Sequence, residues 1–260
     1  MLKREFRLMI VAVQFLTRLP LPSLHNFQAQ DLQLSARYFP LVGLLVGGLT
    51  AGVFVFFSHF FNPWIAALGS TAFSLLLTGA FHEDGWADTC DGLGGGLTRE
   101  QALAIMKDSR LGTYGTLGLI CVLALKVALL ASLPLAAAVF ALCCAHGLSR
   151  WCSVLLLRFL SYAGHLEDAK TKPLAQHLSS AQAVIASLPL LSLLPLLYWL
   201  PITSSWLVFF LPLTAMLLVT LLLARLFLRR LGGYTGDNLG ATQQMTELTC
   251  YLMLAALWQS

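Results

Sequence analysis

Charge is what this chain has least of. Only 11% of its 260 residues are Asp, Glu, Lys or Arg, and just 12 are acidic. A soluble domain carries about 25% charged residues, so a globule surrounded by water is excluded. The chain also lacks a long internal repeat and any stretch with the composition of a separate soluble domain. It has six cysteines, Cys90, Cys121, Cys143, Cys144, Cys152 and Cys250, and no Cys-x-x-Cys spacing. Most lie in apolar segments and read as packed thiols, not as disulfides or a zinc site. The net charge of +4 is too small to argue for nucleic acid; it fits basic loops against anionic lipid. The start, MLKREFRLMIVAVQFLTRLPLP, has a basic end and an apolar core, but no small-residue cleavage pattern follows. It reads as retained.

What is present is apolar sequence in continuous Leu-rich runs: 58% of residues are hydrophobic, and mean hydropathy is +0.77. Only helices and closed barrels satisfy their backbones in lipid, and the lack of alternation argues against a barrel. The fold class expected is all-α, a polytopic transmembrane helix bundle. At about 20 apolar residues per span, seven spans are expected, over 38–60, 63–81, 115–133, 134–157, 181–200, 206–226 and 240–258. Residues 1–22 are short and flanked by charge, and read as an interfacial or re-entrant helix closed by Pro20 and Pro22.

The loops sort by charge. Residues 1–37, 82–114, 158–180 and 225–239 hold nearly every charged residue, while the short connections between the other span ends hold none. The positive-inside rule then puts the N-terminus and all four charged loops in the cytoplasm and the C-terminus outside. With all polar chemistry on one side, transport through the bundle is not the obvious task. Lys126 stands mid-span and either snorkels or faces the bundle interior.

Against this background residues 81–96, FHEDGWADTCDGLGGG, stand out. Glu83, Asp84, Asp88 and Asp91 place four of the 12 acids within nine residues. Carboxylates that close repel unless cations or protons compensate. If the second helix continues past Phe81, then Asp84, Asp88 and Asp91 follow an i, i+4, i+7 spacing on one face. Such a face can bind one or two divalent cations. Mg²⁺ takes one or two carboxylates, waters and substrate phosphate oxygens, and two ions can clamp a phosphoryl displacement. Gly85 and Gly92 leave room for a bulky ligand. The plain alternatives are a solvated acidic loop, acids favoured by a helix N-terminus, or a proton relay. A relay would scatter its acids across several spans.

Downstream, residues 98–107 read as a short amphipathic surface helix with Thr98 as N-cap and Glu100 and Gln101 in its first turn. Arg99, Lys107 and Arg110 supply cations suited to a diphosphate; snorkelling at the interface is the ordinary reading of Lys107 and Arg110. The late segment GGYTGDNLGA suggests backbone, at Gly236 among others, close over a ligand. Its one acid, Asp237, suits a metal ligand, a ribose contact or a general base. Arg229 and Arg230 read as membrane-edge anchors. Gln243, Gln244 and Glu247 should face a cavity, not lipid. His82 adjoins the acids and could assist. His146 and Arg150 read as a buried hydrogen-bonded pair, though Arg150 could also meet a phosphate.

HEDGWADTCDGLGGG, KDSRLGTYG, the early FLTRLPLP and the late GYTGDNLGA together resemble the cobalamin synthase (adenosylcobinamide-GDP ribazoletransferase) family, in the same order and over essentially the whole chain. The resemblance implies a Mg²⁺-dependent enzyme of the bacterial inner membrane. Its substrates would be adenosylcobinamide-GDP and α-ribazole or its 5′-phosphate, with GMP released. A second, partial likeness is to CDP-alcohol phosphotransferases, through Asp88-Thr89-Cys90-Asp91-Gly92. It fails where Gly-Gly-Gly replaces an Ala-Arg step and where no later Asp-x-x-x-Asp follows.

On the first resemblance, Glu83, Asp84, Asp88 and Asp91 are the expected Mg²⁺ ligands. His82, Arg99, Lys107, Arg110, Gly236 and Asp237 are expected at the substrate, and Asp91 or Asp237 is the expected proton acceptor. Trp86 and Tyr114 could line a groove for the corrin ring. Expected partners are the two substrates and the lipid bilayer, with no nucleic acid; a homo-oligomer is left open. The competing functions are a phosphotransferase acting on a lipid head group and a transporter or corrinoid-binding subunit without chemistry.

Overall fold

The computed structural model describes residues 2–22, 28–164, 178–197 and 205–259. Part of the charged loop 158–180, the end of the expected 181–200 span, most of the turn after it and the last residue lie outside the described residues. The described residues form helices, with one isolated parallel bridge between Tyr162 and Tyr234: α1 (Leu2–Leu16), α2 (Ala29–Ser35), α3 (Phe39–Ser58), α4 (Pro63–Thr78), α5 (Phe81–Gly95), α6 (Arg99–Met106), α7 (Thr113–Ser132), α8 (Leu135–Phe159), α9 (Ser180–Ser187), α10 (Leu194–Leu197), α11 (Ser205–Leu231) and α12 (Gly236–Gln259).

Four helical stretches are long and apolar enough to cross a membrane, containing α3, α7, α8 and α11; the bent pair α4–α5 would make five. The other expected spans take different forms. The 181–200 run is broken into α9, a 3₁₀ turn over Leu188–Leu193 and α10, because Pro189 and Pro195 withhold N–H groups from a continuous helix. The last helix is long but polar along the face it buries, with Thr242, Gln243, Gln244, Thr246 and Glu247 each at most 1% exposed.

Helix α8 is the central post, buried along most of its length, whereas α7 and α11 leave most of their apolar surface outward. That distribution suits lipid around the bundle. Gly43 and Gly47 let α3 lie directly against α8: a Cβ on Gly47 would stand 2.7 Å from the Leu142 carbonyl oxygen. Small residues at helix contacts serve this purpose in membranes. Helix α1 is amphipathic. It buries Leu8, Val11, Ala12 and Leu16, while Lys3 and Arg4 stay exposed, the stripe expected of a surface helix. Arg7 pairs with Asp31 of α2 at 3.0 Å.

The decisive departure from expectation lies between α4 and α5. The second helix does not run on past Phe81. Gly79 (φ 69°) and Ala80 (φ 55°) both adopt left-handed backbone, and the chain turns through 89°. Gly79 does so freely; Ala80 costs about 1–2 kcal/mol. The acidic motif is therefore a separate helix laid across the bundle, not an extension of a span.

Candidate functional site

Two glycines decide how the acidic helix meets the rest. Gly85 faces the start of α12 so closely that a Cβ would stand 2.8 Å from the Asp237 carbonyl oxygen, and Gly240 would meet the His82 carbonyl oxygen at 3.0 Å. The first turn of α12 is held by reciprocal caps. The Asn238 side chain accepts from the Thr235 N–H at 2.9 Å and donates to Thr89 Oγ1 on α5 at 3.2 Å. The Thr235 hydroxyl donates to Asp237 Oδ2 at 3.4 Å. This crossing brings Asp237, from the far end of the sequence, into electrostatic reach of Asp84 and Asp88. Asp84 is exposed, Asp88 and Asp237 are half-buried, and no basic side chain pairs with any of the three among the described residues.

The other two acids of the motif point elsewhere. Asp91 is buried and accepts from the backbone N–H of Gly112 at 2.7 Å and of Gly115 at 2.8 Å. It caps the first turn of α7, where carboxylates are favoured. A side chain at Gly112 or Gly115 would collide with that carboxylate, which explains both glycines of the LGTYG segment. Glu83 turns into the bundle, where its Oε1 accepts from Gln244 Nε2 at 2.9 Å and lies 3.9 Å from Lys126 Nζ. The i, i+4, i+7 face is thus real in the backbone, but Asp91 is engaged at the α7 cap.

Glu83 enters a second polar group, closed inside the helices. Lys126 pairs with Glu247 at 2.9 Å, so it faces the interior. Glu247 also accepts from Tyr251 Oη at 3.1 Å and lies 3.7 Å from His146 Nδ1. Gln243 donates to Glu247 and to Ser149 Oγ. Arg150 donates from Nη1 to the His146 carbonyl oxygen at 3.1 Å. Two cations and two carboxylates therefore share one buried network. Sequence reasoning placed its members singly but did not join them; the signal available was that Lys126, Arg150 and Glu247 all lie in apolar runs, where charges must find one another.

One expected substrate cation and one expected anchor have backbone partners. Arg99 Nε donates to the Leu231 carbonyl oxygen at 2.6 Å and its Nη2 to that of Ala163 at 2.8 Å. Arg230, expected as a membrane anchor, donates to the carbonyl oxygens of Gly96 and Leu93 at the end of α5. Both satisfy carbonyls near helix ends. Arg110 is exposed and forks onto Asp108, whose carboxyl is drawn down to about 2 by those hydrogen bonds. Lys107 is exposed at the end of α6, whose N-cap is Thr98 with Gln101 completing the capping box. Tyr114 packs over Gly94 and Trp86 lies against Gly118.

His82 and Gly236 border a recess of about 420 Å³, counting its open mouth, which also touches Phe15, Phe39, Phe81 and Arg150. A Cβ on Gly236 would meet nothing within 4 Å.

Among the described residues no three His, Cys, Asp or Glu side chains converge as a ready-made metal cage. The donor set nevertheless suits Mg²⁺, which uses only one or two carboxylates and completes its shell with water and substrate phosphate. Asp84, Asp88 and Asp237 are like charges held together without a paired cation among the described residues, and a divalent ion would relieve them.

Residues 8–255 match the cobalamin-5-phosphate synthase family model. The chain is 46% identical to an adenosylcobinamide-GDP ribazoletransferase of Leptothrix cholodnii, covering 98% of this chain and 97% of that protein. It is 42% identical to the protein of that name from Vibrio cholerae, over 99% and 97% of the two chains, and 40% identical to that of Shewanella halifaxensis, over 98% and 97%. No solved structure matches. A full-length match of this strength, carrying the acidic helix and the Asp237 turn together, makes this chain a member of the cobalamin-5-phosphate synthase family of membrane transferases.

Proposed function

We propose that the protein joins adenosylcobinamide-GDP to α-ribazole or α-ribazole 5′-phosphate, releasing GMP; its relatives are named as adenosylcobinamide-GDP ribazoletransferases. The observation that carries this reading is the meeting of Asp84 and Asp88 with Asp237 where α5 crosses α12 at Gly85. Mg²⁺, when bound there, supplies charge neutralisation for the diphosphate and for departing GMP. Asp84 and Asp88 would hold that ion and so fix the diphosphate end of the site. Asp237, fixed by the Thr235–Asn238 caps, accepts the proton of the ribose 3′-hydroxyl. That oxygen bonds to the phosphorus on the cobinamide side, the bond from this phosphorus to the bridging oxygen breaks, and GMP leaves with that oxygen. Asp91 positions the site, because both of its oxygens cap α7. Lys107 and Arg110, exposed on the adjoining loop, meet the outer phosphate charge; Arg99 holds the α11 end of the wall.

The charged loops and the N-terminus face the cytoplasm of a bacterial inner membrane, and the C-terminus faces the periplasm. The test uses purified protein in detergent with both substrates, with and without Mg²⁺, following GMP and corrinoid product by chromatography. The expected result is Mg²⁺-dependent product that Asp88→Asn abolishes. Absence of product from folded protein would sink the reading and turn attention to CDP-alcohol head-group transfer.

A further inference from the structure

We propose that Arg99 and Arg230 form a reciprocal clasp that sets the acidic helix against the Asp237 turn, and that both are positioning residues for the transfer step; this rests on the transferase reading above. Each arginine crosses to the segment the other comes from. Arg230, near the end of α11, donates from Nη2 to the carbonyl oxygens of Gly96 at 2.6 Å and Leu93 at 3.1 Å, at the end of α5. Arg99, the first residue of α6, donates from Nε to the carbonyl oxygen of Leu231, the last residue of α11, at 2.6 Å. Its Nη2 donates to that of Ala163 at 2.8 Å.

The task calls for arginine. The last carbonyls of a helix have no partner within it and carry its partial negative charge. A planar guanidinium holds two such oxygens in a fixed geometry, which an ammonium on a flexible stem does not. The edge of Arg99 that would fork onto a phosphate is the edge already engaged. Under the clasp, Leu93 packs with buried Ala102, Leu103, Met106, Ala163 and Leu231, an apolar cluster drawn from the same segments.

From each arginine a run of contacts leads to the site. Ala163, held by Arg99, donates its N–H to the Tyr234 carbonyl oxygen at 2.8 Å, and the Tyr234 N–H donates to that of Ser161 at 3.0 Å. Gly233 makes room for this pairing, since a Cβ there would collide with the Ser161 carbonyl oxygen. The next residue after Tyr234 is Thr235, which opens the cap that fixes Asp237. On the other side, Arg230 holds the end of the helix that carries Asp84 and Asp88. Gly85 and Asn238 fix α12 against the start and middle of α5; the clasp fixes the far end.

The test makes two measurements on the purified full-length chain in detergent: backbone deuterium exchange without substrates, and GMP release with them. Arg99→Met should make the segment around Tyr234 exchange about tenfold faster, and Arg230→Met should do the same at the end of α5, with α3 and α8 unchanged in both. In turnover, Arg99→Met should lower kcat about thirtyfold while KM for either substrate stays within about twofold. Arg99→Lys, which keeps one donor, should lower kcat only about fivefold. On the residual activity of Asp237→Asn, adding Arg99→Met should cost less than about threefold more, because it acts through Asp237; a general loosening would multiply the two losses. If Arg99→Met fails to fold, Arg99→Lys carries both measurements. Unchanged exchange, full kcat despite faster exchange, a raised KM at unchanged kcat, or multiplied losses each overturn the proposal. GMP release from wild type that neither arginine affects sinks this inference alone. Faster exchange in both variants with no GMP from wild type sinks the transferase reading and leaves the clasp standing.

Discussion

Helices α5 and α12 carry two polar groups that differ in one respect, whether the chain balances its own charge. Deep in the bundle, Lys126 pairs with Glu247 and approaches Glu83, His146 lies beside Glu247, and Arg150 donates to the His146 carbonyl oxygen, so both carboxylates have a cation of α7 near them. At the crossing near Gly85, Asp84, Asp88 and Asp237 are gathered with no such partner among the described residues. Matched buried charges hold helices in one arrangement; removing one partner is severe because the other is left uncompensated. Like charges gathered at an open edge do nothing for stability and point to a cation and a substrate from outside. The same two helices thus carry a fastening and a candidate site, and the sign pattern separates them.

The sharpest way to break that comparison is substitution in each group. Asp84→Asn and Asp88→Asn should each lower turnover about a thousandfold or more, with thermal unfolding in detergent unchanged or slightly later as repulsion is relieved. Near-normal GMP release from either variant would remove that residue from the site. In the matched group, Glu247→Gln should cost about 3–5 kcal/mol by stranding Lys126, seen as early unfolding. Adding Lys126→Met should recover part of the loss, and no recovery would mean the pair is not what holds these helices.

Asp91 sharpens the comparison further. As a cap of α7, Asp91→Asn should cost about 0.5–2 kcal/mol and reduce turnover only in proportion to the site's displacement, about tenfold. A thousandfold loss in a protein with unchanged melting would instead make Asp91 a direct participant. Gly85→Val should push α12 away and lower turnover about a hundredfold while Mg²⁺-independent folding persists; wild-type activity would show that the close crossing is dispensable. Arg110→Ala should do least. It pairs with Asp108 on an exposed loop, and exposed pairs contribute little. Melting should not move, and KM for the GDP-linked substrate should rise about threefold. A large drop in kcat would relocate Arg110 to the reacting phosphates.

Much of this was readable along the chain wherever neighbours in sequence are neighbours in space. The Thr98 cap, the α6 helix and the amphipathic start all depend on residues within two turns. The acidic motif was visible because charge is so scarce. What was not readable depended on distant partners. The 63–81 run gives no sign of stopping at Thr78; its turn depends on two left-handed residues, and the Arg18 N–H from the chain after α1 donates to the Leu77 carbonyl oxygen at 2.7 Å just before the break. Asp91 resembled Asp88 in sequence, and only the arrival of Gly112 and Gly115 made it a cap. Arg99 reads as a phosphate ligand in sequence, and only the arrival of Ala163, beyond α8, and of Leu231, at the end of α11, gives its guanidinium carbonyl partners.

The chain by itself determined that it is a membrane-embedded helical protein and that its scarce acids gather beside glycines in a few segments, because hydropathy and charge scarcity are properties of composition. Tertiary structure alone decided which acids are brought together. Asp84 and Asp88 join Asp237, 153 and 149 positions along the chain from it, because two glycines let the backbones touch, and Glu83 is turned inward, where Lys126 lies near it.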